Sequence, residues 1–200
     1  MKKVIQTRSE RRDYGKSLRD ECSRAEHSVW KKRSSKTDVI AWLEESNRGR
    51  IKGLIPVRYG RMAASPLHFF RGTAIIQARD IANGPSPGIV TQLCGDCHLS
   101  NFGGFATPER SLAFDINDFD ETFPGPFEWD LKRLTASLVV AARYLSFPDV
   151  VGDEAVRACV RSYRERMDGF AKMTRLEQWY ARITMEDLLA YFRSDKDATS

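Results

Sequence analysis

The stretch Cys94-Gly95-Asp96-Cys97-His98-Leu99-Ser100-Asn101, with Asp115-Ile116-Asn117-Asp118-Phe119-Asp120-Glu121 soon after it, decides how this chain is read. Asp96 and Asn101 lie five positions apart on a segment whose Gly and polar residues mark a loop. The acidic run closes the strand that comes next. Phosphoryl transfer uses such a grouping: one carboxylate orients the attacking hydroxyl, while an Asn and a further Asp hold the magnesium that bridges nucleotide phosphates. The spacing predicts Asp96 and Asn101 on the two sides of one tight loop, both able to face a single phosphate. A bland reading competes with it, namely an Asx-capped turn beside a solvated acidic edge.

Outward from this loop, residues 89–93 and 112–116 read as short strands. Upstream, Phe69, Phe70, Ile75, Ile76 and Ile81 recur at helical spacing over residues 66–82, and Asn83-Gly84-Pro85-Ser86-Pro87-Gly88 ends that helix. Thr37 is placed to cap an earlier helix carrying Val39, Ile40, Trp42 and Leu43, and Pro56 breaks the pattern after it. Downstream, Pro124-Gly125-Pro126 reads as a turn. Helices follow over residues 129–144, with Leu131, Leu134, Leu138, Val139 and Ala142 apolar, and over residues 153–173, with Val156, Val160, Tyr163 and Met167 on one face. A last one spans residues 184–192. The fold class expected is α+β, mostly helical, with a small β element presenting the loop. The division expected is a basic, loosely packed arm at residues 1–36, a domain at 37–192 and a polar tail at 193–200.

Two hundred residues suffice for one domain with a core. With 42% hydrophobic and 30% charged residues, the chain has no apolar run near the roughly 18 needed to span a bilayer. Met1-Lys2-Lys3 leads into no apolar core, so no secretory signal is expected. Cys22, Cys94, Cys97 and Cys159 are irregularly spaced and read as reduced thiols, which points to the cytoplasm. The net charge of +5 is uneven: Met1–Arg61 holds 17 Lys and Arg against 8 Asp and Glu, and the remainder 15 against 19. A basic arm can bind nucleic acid, but these cations are scattered without interleaved aromatics, so a solvated helical surface is the better reading.

The block from Gly95 to Asn101, with Asp118-Phe119-Asp120, resembles the H-G-D-x-H-x-x-N and I-D-F-D signatures of aminoglycoside phosphotransferases and related small-molecule kinases. A wider set resembles an uncharacterised bacterial family, domain of unknown function 2252. It comprises Arg58-Tyr59-Gly60-Arg61-Met62, Ser65-Pro66, Phe70-Arg71-Gly72, Leu93-Cys94-Gly95-Asp96, His98-Leu99, Asn101-Phe102-Gly103, Phe105-Ala106-Thr107-Pro108-Glu109-Arg110, the segment from Phe114 to Glu121, and Trp129-Asp130-Leu131-Lys132-Arg133-Leu134. That likeness runs from about Arg11 to Phe192. It implies the catalytic-loop lobe of a protein-kinase-like fold, with Mg2+ and ATP as cofactors and an unidentified small-molecule acceptor. By position it implies Asp96 as the catalytic carboxylate. Asn101 and Asp118 become the metal and nucleotide ligands, Asp115 competes for that metal role, Asp120 is a further metal ligand, and His98 is a nucleotide-side brace. Asp130 resembles the buried Asp that braces the catalytic loop, although an N-terminal helix carboxylate would read the same.

Two departures bear on this. Cys94 stands where the phosphotransferase signature has its first His, and a small buried residue under the loop is expected there. Cys97 completes a C-x-x-C beside His98, which could be half a zinc site or a redox pair, yet no second paired motif exists. The Gly-rich hairpin and strand Lys that cover a kinase's nucleotide are not found; Gly84, Gly88, Gly103 and Gly104 read as turn residues. The resemblance therefore implies a catalytic-loop half, inactive alone, that docks a C-terminal half or self-associates. Alternatives are a non-catalytic, partner-binding remnant and a basic-arm nucleic-acid binder.

Overall fold

A capping box opens the first helix: Thr7 Oγ1 accepts from the Glu10 N–H at 3.2 Å, and the Glu10 carboxylate accepts from the Thr7 N–H at 2.6 Å. This helix, α1 (Arg8–Glu21), occupies the polar arm and buries Leu18, with its C-capping residue Cys22 buried beside it. The structure, a computed structural model, describes residues 7–197. Met1-Lys2-Lys3 and the last residues of the polar tail lie outside the described residues.

The next helix, α2 (Val39–Glu45), is capped by Asp38 and not Thr37, the Asp38 carboxylate accepting from the Ala41 N–H at 3.0 Å. Pro56 starts a helix where the sequence suggested a break. It sits in the first turn of α3 (Ile55–Met62), where its missing N–H removes no intrahelical bond. The single helix expected over residues 66–82 is two, α4 (Pro66–Arg71), capped by Ser65, and α5 (Ala74–Ile81). Leu43, Met62 and Ile76 from α2, α3 and α5 form a buried cluster, packed by Val39, Trp42, Tyr59 and Ile75. Gly72 is what lets α4 end against α3. A Cβ there would stand 2.6 Å from Met62 Cγ and 2.8 Å from its Sδ. Arg58 on α3 clips the same spot, donating from Nη2 to the Gly72 carbonyl at 2.7 Å.

The strands are β1 (Val90–Leu93), β2 (Phe102–Ala106), β3 (Leu112–Ile116), β4 (Phe123–Pro126) and the short β5 (Ile183–Thr184). All pairings are antiparallel, β1 with β4 and β2 with β3 with β5. Pro124-Gly125-Pro126 is thus strand where a turn was expected, and Gly103 and Gly104 lie in β2 and not in turns. In β2 and β4, backbone pairing overrides weak β propensity. The long helices α6 (Glu128–Tyr144) and α7 (Asp149–Phe170) pack on each other. Gly152 of α7 lies close against Val139 and Ala142 of α6, and Phe127 stacks on Tyr163 at 6.1 Å. Then α8 (Arg175–Tyr180) starts at a second capping box, Thr174 with Glu177, and α9 (Met185–Asp197) runs past residue 192 into the polar tail. The fold is α+β and mostly helical. No helix among the described residues is long and apolar enough to cross a membrane.

Gly72→Ala should lower unfolding stability by about 1–3 kcal/mol through overpacking against Met62, read as a shift in the urea midpoint. An unchanged midpoint would mean that the Met62 side chain moves aside without cost.

Candidate functional site

The loop after β1 is assembled on one face of α6. Asp130, Arg133 and Ser137 are spaced i, i+3 and i+7, so they line one side of the helix. Each takes a different part of the loop. The Asp130 carboxylate accepts the N–H of Cys94 at 2.7 Å and of Gly95 at 3.0 Å. Ser137 Oγ accepts the Leu99 N–H at 2.9 Å. Between them Arg133 donates to Asp96 Oδ1 from Nε at 2.8 Å and Nη2 at 2.7 Å. The remaining Arg133 donors reach Gln77 Oε1 at 2.9 Å and the Phe70 carbonyl at 2.5 Å, and the guanidinium lies 4.0 Å over the Phe70 ring. Arg133 is only 3% exposed. Burial pushes its guanidinium below the ordinary value, and the Asp96 charge opposes that. Burial likewise raises the Asp130 carboxyl, the two backbone N–H bonds hold it down, and the Asp96 charge raises it further.

The acidic segment is tied to this loop by Asn101. Its Nδ2 donates to the carbonyls of Asp118 at 3.0 Å and Asp96 at 3.1 Å and to Cys94 Sγ at 3.4 Å. Its Oδ1 accepts the Asp118 N–H at 2.9 Å, and its own carbonyl accepts the Asn117 N–H at 2.9 Å. Asn101 is buried, so it sits beneath the cleft and not on the phosphate-facing side of the loop as the spacing suggested. Gly95 brings the two segments closer still. Its φ is +85°, and a Cβ there would overlap the Glu121 carbonyl.

Asp96, His98, Asp118, Asp120 and Glu121 line one cleft of about 800 Å³. Asp118 Oδ1 accepts the Asp120 N–H at 3.0 Å, which turns the acidic run back on itself. Asp115 stays on β3, across from Gly103, with its carboxylate on the Ile116 N–H, and is not part of the cleft lining. Of the two Asp competing for one role, the cleft therefore holds Asp118. His98 is buried. Its Nε2 lies 3.7 Å from Asp96 Oδ2, and its Nδ1 has no hydrogen-bond partner. Burial pushes the imidazole below its ordinary value; the Asp96 charge opposes this, and the Arg133 and Arg71 charges add to it.

Cys94 and Cys97 are both buried free thiols. A hydrogen bond between them raises the Cys97 thiol and lowers that of Cys94. Cys94 Sγ also meets the Asp118 carbonyl at 3.5 Å, so it joins the polar network under the loop as well as filling space there. Among the described residues no group of three or more His, Cys, Asp or Glu side chains could hold a metal ion. Arg133, Ser137 and Gln77 were not singled out from sequence. The signal available was the polar spacing 130, 133, 137 along a helix otherwise read by its leucines.

The chain is thus a mostly helical α+β protein that builds a carboxylate-lined cleft on a helix-braced loop. Residues 50–200 match the bacterial family described as "Uncharacterized protein conserved in bacteria (DUF2252)", and the chain belongs to that family. The match begins later than the Arg11 from which the sequence likeness was drawn. No curated protein and no solved structure matches the chain.

Arg133→Met, which strands Asp96 and the Phe70 carbonyl, should cost about 3 kcal/mol or more in stability, as for other broken buried pairs. Chemical denaturation measures it; a loss under about 1 kcal/mol would mean that water replaces the guanidinium readily. A pH effect follows from His98. The unfolded chain takes up a proton near the ordinary His value of about 6.5, which the folded state resists. Stability then falls as pH drops from about 6.5 toward the lower folded value, by at most about 1.4 kcal/mol per pH unit. Relative to His98→Gln, the wild type should lose stability between pH 7.5 and 5.5 in paired melts, and parallel curves would rule this out.

Proposed function

We propose that this chain carries the catalytic-loop part of a kinase-like phosphotransferase, using Mg-ATP and a small-molecule acceptor. The observation that carries the reading is that Asp96 and Asp118 share one cleft while Asn101 staples together the segments that bear them. In this reading Asp96 orients the acceptor hydroxyl and receives its proton. Arg133 engages Oδ1 of that carboxylate, which fixes its rotamer and leaves Oδ2 toward the acceptor. Asp130 and Ser137 hold the loop backbone, so the carboxylate is positioned before any ligand arrives.

The donor set suits magnesium. Asp118 and Asp120 offer hard carboxylate oxygens at the cleft, and Mg2+ ordinarily takes one or two carboxylates and completes its shell with water and phosphate oxygens. These two residues would hold the ion, which would screen phosphate charge. No G-x-G-x-x-G hairpin and no strand Lys occurs among the described residues, so nucleotide binding is the more direct readout than turnover.

Calorimetric titration of the 200-residue chain with ATP is the test. Affinity should rise with Mg2+, and Asp118→Ala should weaken the Mg-dependent part at least about tenfold, about 1.4 kcal/mol. Asp96→Asn should leave binding within about twofold and remove whatever phosphoryl transfer the chain performs. ATP binding indifferent to Mg2+ and to Asp118→Ala would overturn the reading.

A further inference from the structure

The same cleft has a basic wall that the roles given so far do not use. Arg50, Arg58, Arg61 and Arg71 line it together with Asp96, Asp118, Asp120 and Glu121. Two of these arginines are already engaged. Arg58 donates to Asn47 Oδ1 at 2.8 Å and to the Gly72 carbonyl at 2.7 Å. Arg50 donates to the Ser46 carbonyl at 3.0 Å and stands 3.5 Å from Glu121. Arg61 and Arg71 are exposed and make no hydrogen bond or ion pair among the described residues.

Their pairing is built into the fold. Arg61 precedes Met62 at the end of α3, and Arg71 precedes Gly72 at the end of α4. Met62 packs where a Gly72 Cβ would stand, and Arg58 ties α3 to the Gly72 carbonyl. The two helix ends are thereby clamped together, and each presents its last-turn arginine to the cleft. Arg71 lies near enough to the loop that its charge disfavours protonation of His98. His98, 7% exposed and lining the cleft, keeps an unpartnered Nδ1. A polar atom that deeply buried without a partner is costly unless a ligand or water meets it.

We propose that Arg61 and Arg71 form a phosphate-binding pair on the arginine wall of the cleft, so that the site takes a ligand whose phosphoryl group these two guanidinium groups hold. This rests on the phosphotransfer reading for the identity of the cleft, but not on magnesium or on turnover. Planar guanidinium forks match phosphate oxygens two at a time. The cleft carboxylates, Asp96, Asp118, Asp120 and Glu121, repel an anion that would lie along them, which leaves the arginine wall as the place for the phosphate. Two sources share this chemistry: the terminal phosphate of a nucleotide, and a phosphate carried by the acceptor.

The experiment is calorimetry on the full 200-residue chain with tripolyphosphate in the absence of magnesium, repeated with ATP and with glycerol phosphate. Variants are R61Q, R71Q, the double R61Q/R71Q, the double R61K/R71K, and D118N; melting temperatures check that each folds. Tripolyphosphate should bind the wild type, weaken at least about tenfold in R61Q/R71Q, recover partly in R61K/R71K, and bind D118N as well or better. ATP binding tighter than tripolyphosphate assigns the pair to the nucleotide. Glycerol phosphate binding through the pair in the presence of saturating Mg-ATP assigns it to the acceptor. No tripolyphosphate binding, or equal binding to wild type and R61Q/R71Q, overturns the proposal. Binding lost in R61Q/R71Q with no Asp118-dependent Mg effect keeps the pair and removes the phosphotransfer reading; the converse result removes the pair alone.

Discussion

The polar stripe of α6 is the constraint on which the rest of the site depends. A loop that carries a carboxylate to a cleft has several backbone N–H groups without strand or helix partners, and burying them unpaired would cost a few kcal/mol each. Here α6 supplies the partners, Asp130 for Cys94 and Gly95 and Ser137 for Leu99. Because both come from one rigid helix, the loop inherits the helix's geometry. Arg133 lies between them and converts that geometry into a fixed position for Asp96. Arg133 itself is held by Gln77 and the Phe70 carbonyl, so α4 and α5 are referenced to the same point.

Asn101 adds a second layer of the same kind. A carboxamide offers two donors and an acceptor, and this one uses both ends on backbone groups of the Asp96 and Asp118 segments. A displacement of either segment is therefore felt by the other. Cys94 and Cys97 are buried beside this network, and Cys94 Sγ takes part in it at the Asp118 carbonyl and at Asn101 Nδ2. A buried network of this sort is stabilising only when every member is satisfied. The unpartnered Nδ1 of His98 is the exception in this network, on a buried residue that also lines the cleft.

Much of this is legible in the amino-acid sequence. The strand at 112–116, the long helix ending at Tyr144, the loop containing Asp96 and the burial of Cys94 follow from alternation, helical period and residue size. What escaped has a physical reason in each case. β2 and β4 are rich in Gly and Pro, residues that read as turns because their strand character comes from cross-strand pairing. Pro56 starts a helix as readily as it ends one, and local sequence does not say which. Asn101 and Asp115 are plausible ligands by type, but whether an amide faces a cleft or the backbone beneath it depends on contacts many positions away. Arg133 was hidden because a helix was read by its apolar face, while its contribution here lies on the polar one.

That last point bears on how the cleft keeps two signs of charge apart. Arginines and carboxylates in one depression would ordinarily neutralise each other, leaving nothing for a ligand. Here Arg133 meets Asp96 from beneath, Arg58 is turned to the Gly72 carbonyl, and among the described residues Arg50 is the one arginine lining the cleft that makes an ion pair, at 3.5 Å from Glu121. Each engaged arginine is held by neutral backbone or amide oxygens as well as, or instead of, a carboxylate. Neutral acceptors satisfy guanidinium donors without cancelling their charge. The wall at Arg61 and Arg71 therefore remains electropositive while Asp118 and Asp120 remain electronegative, and a ligand bearing both a phosphate and a counter-cation can satisfy the two together.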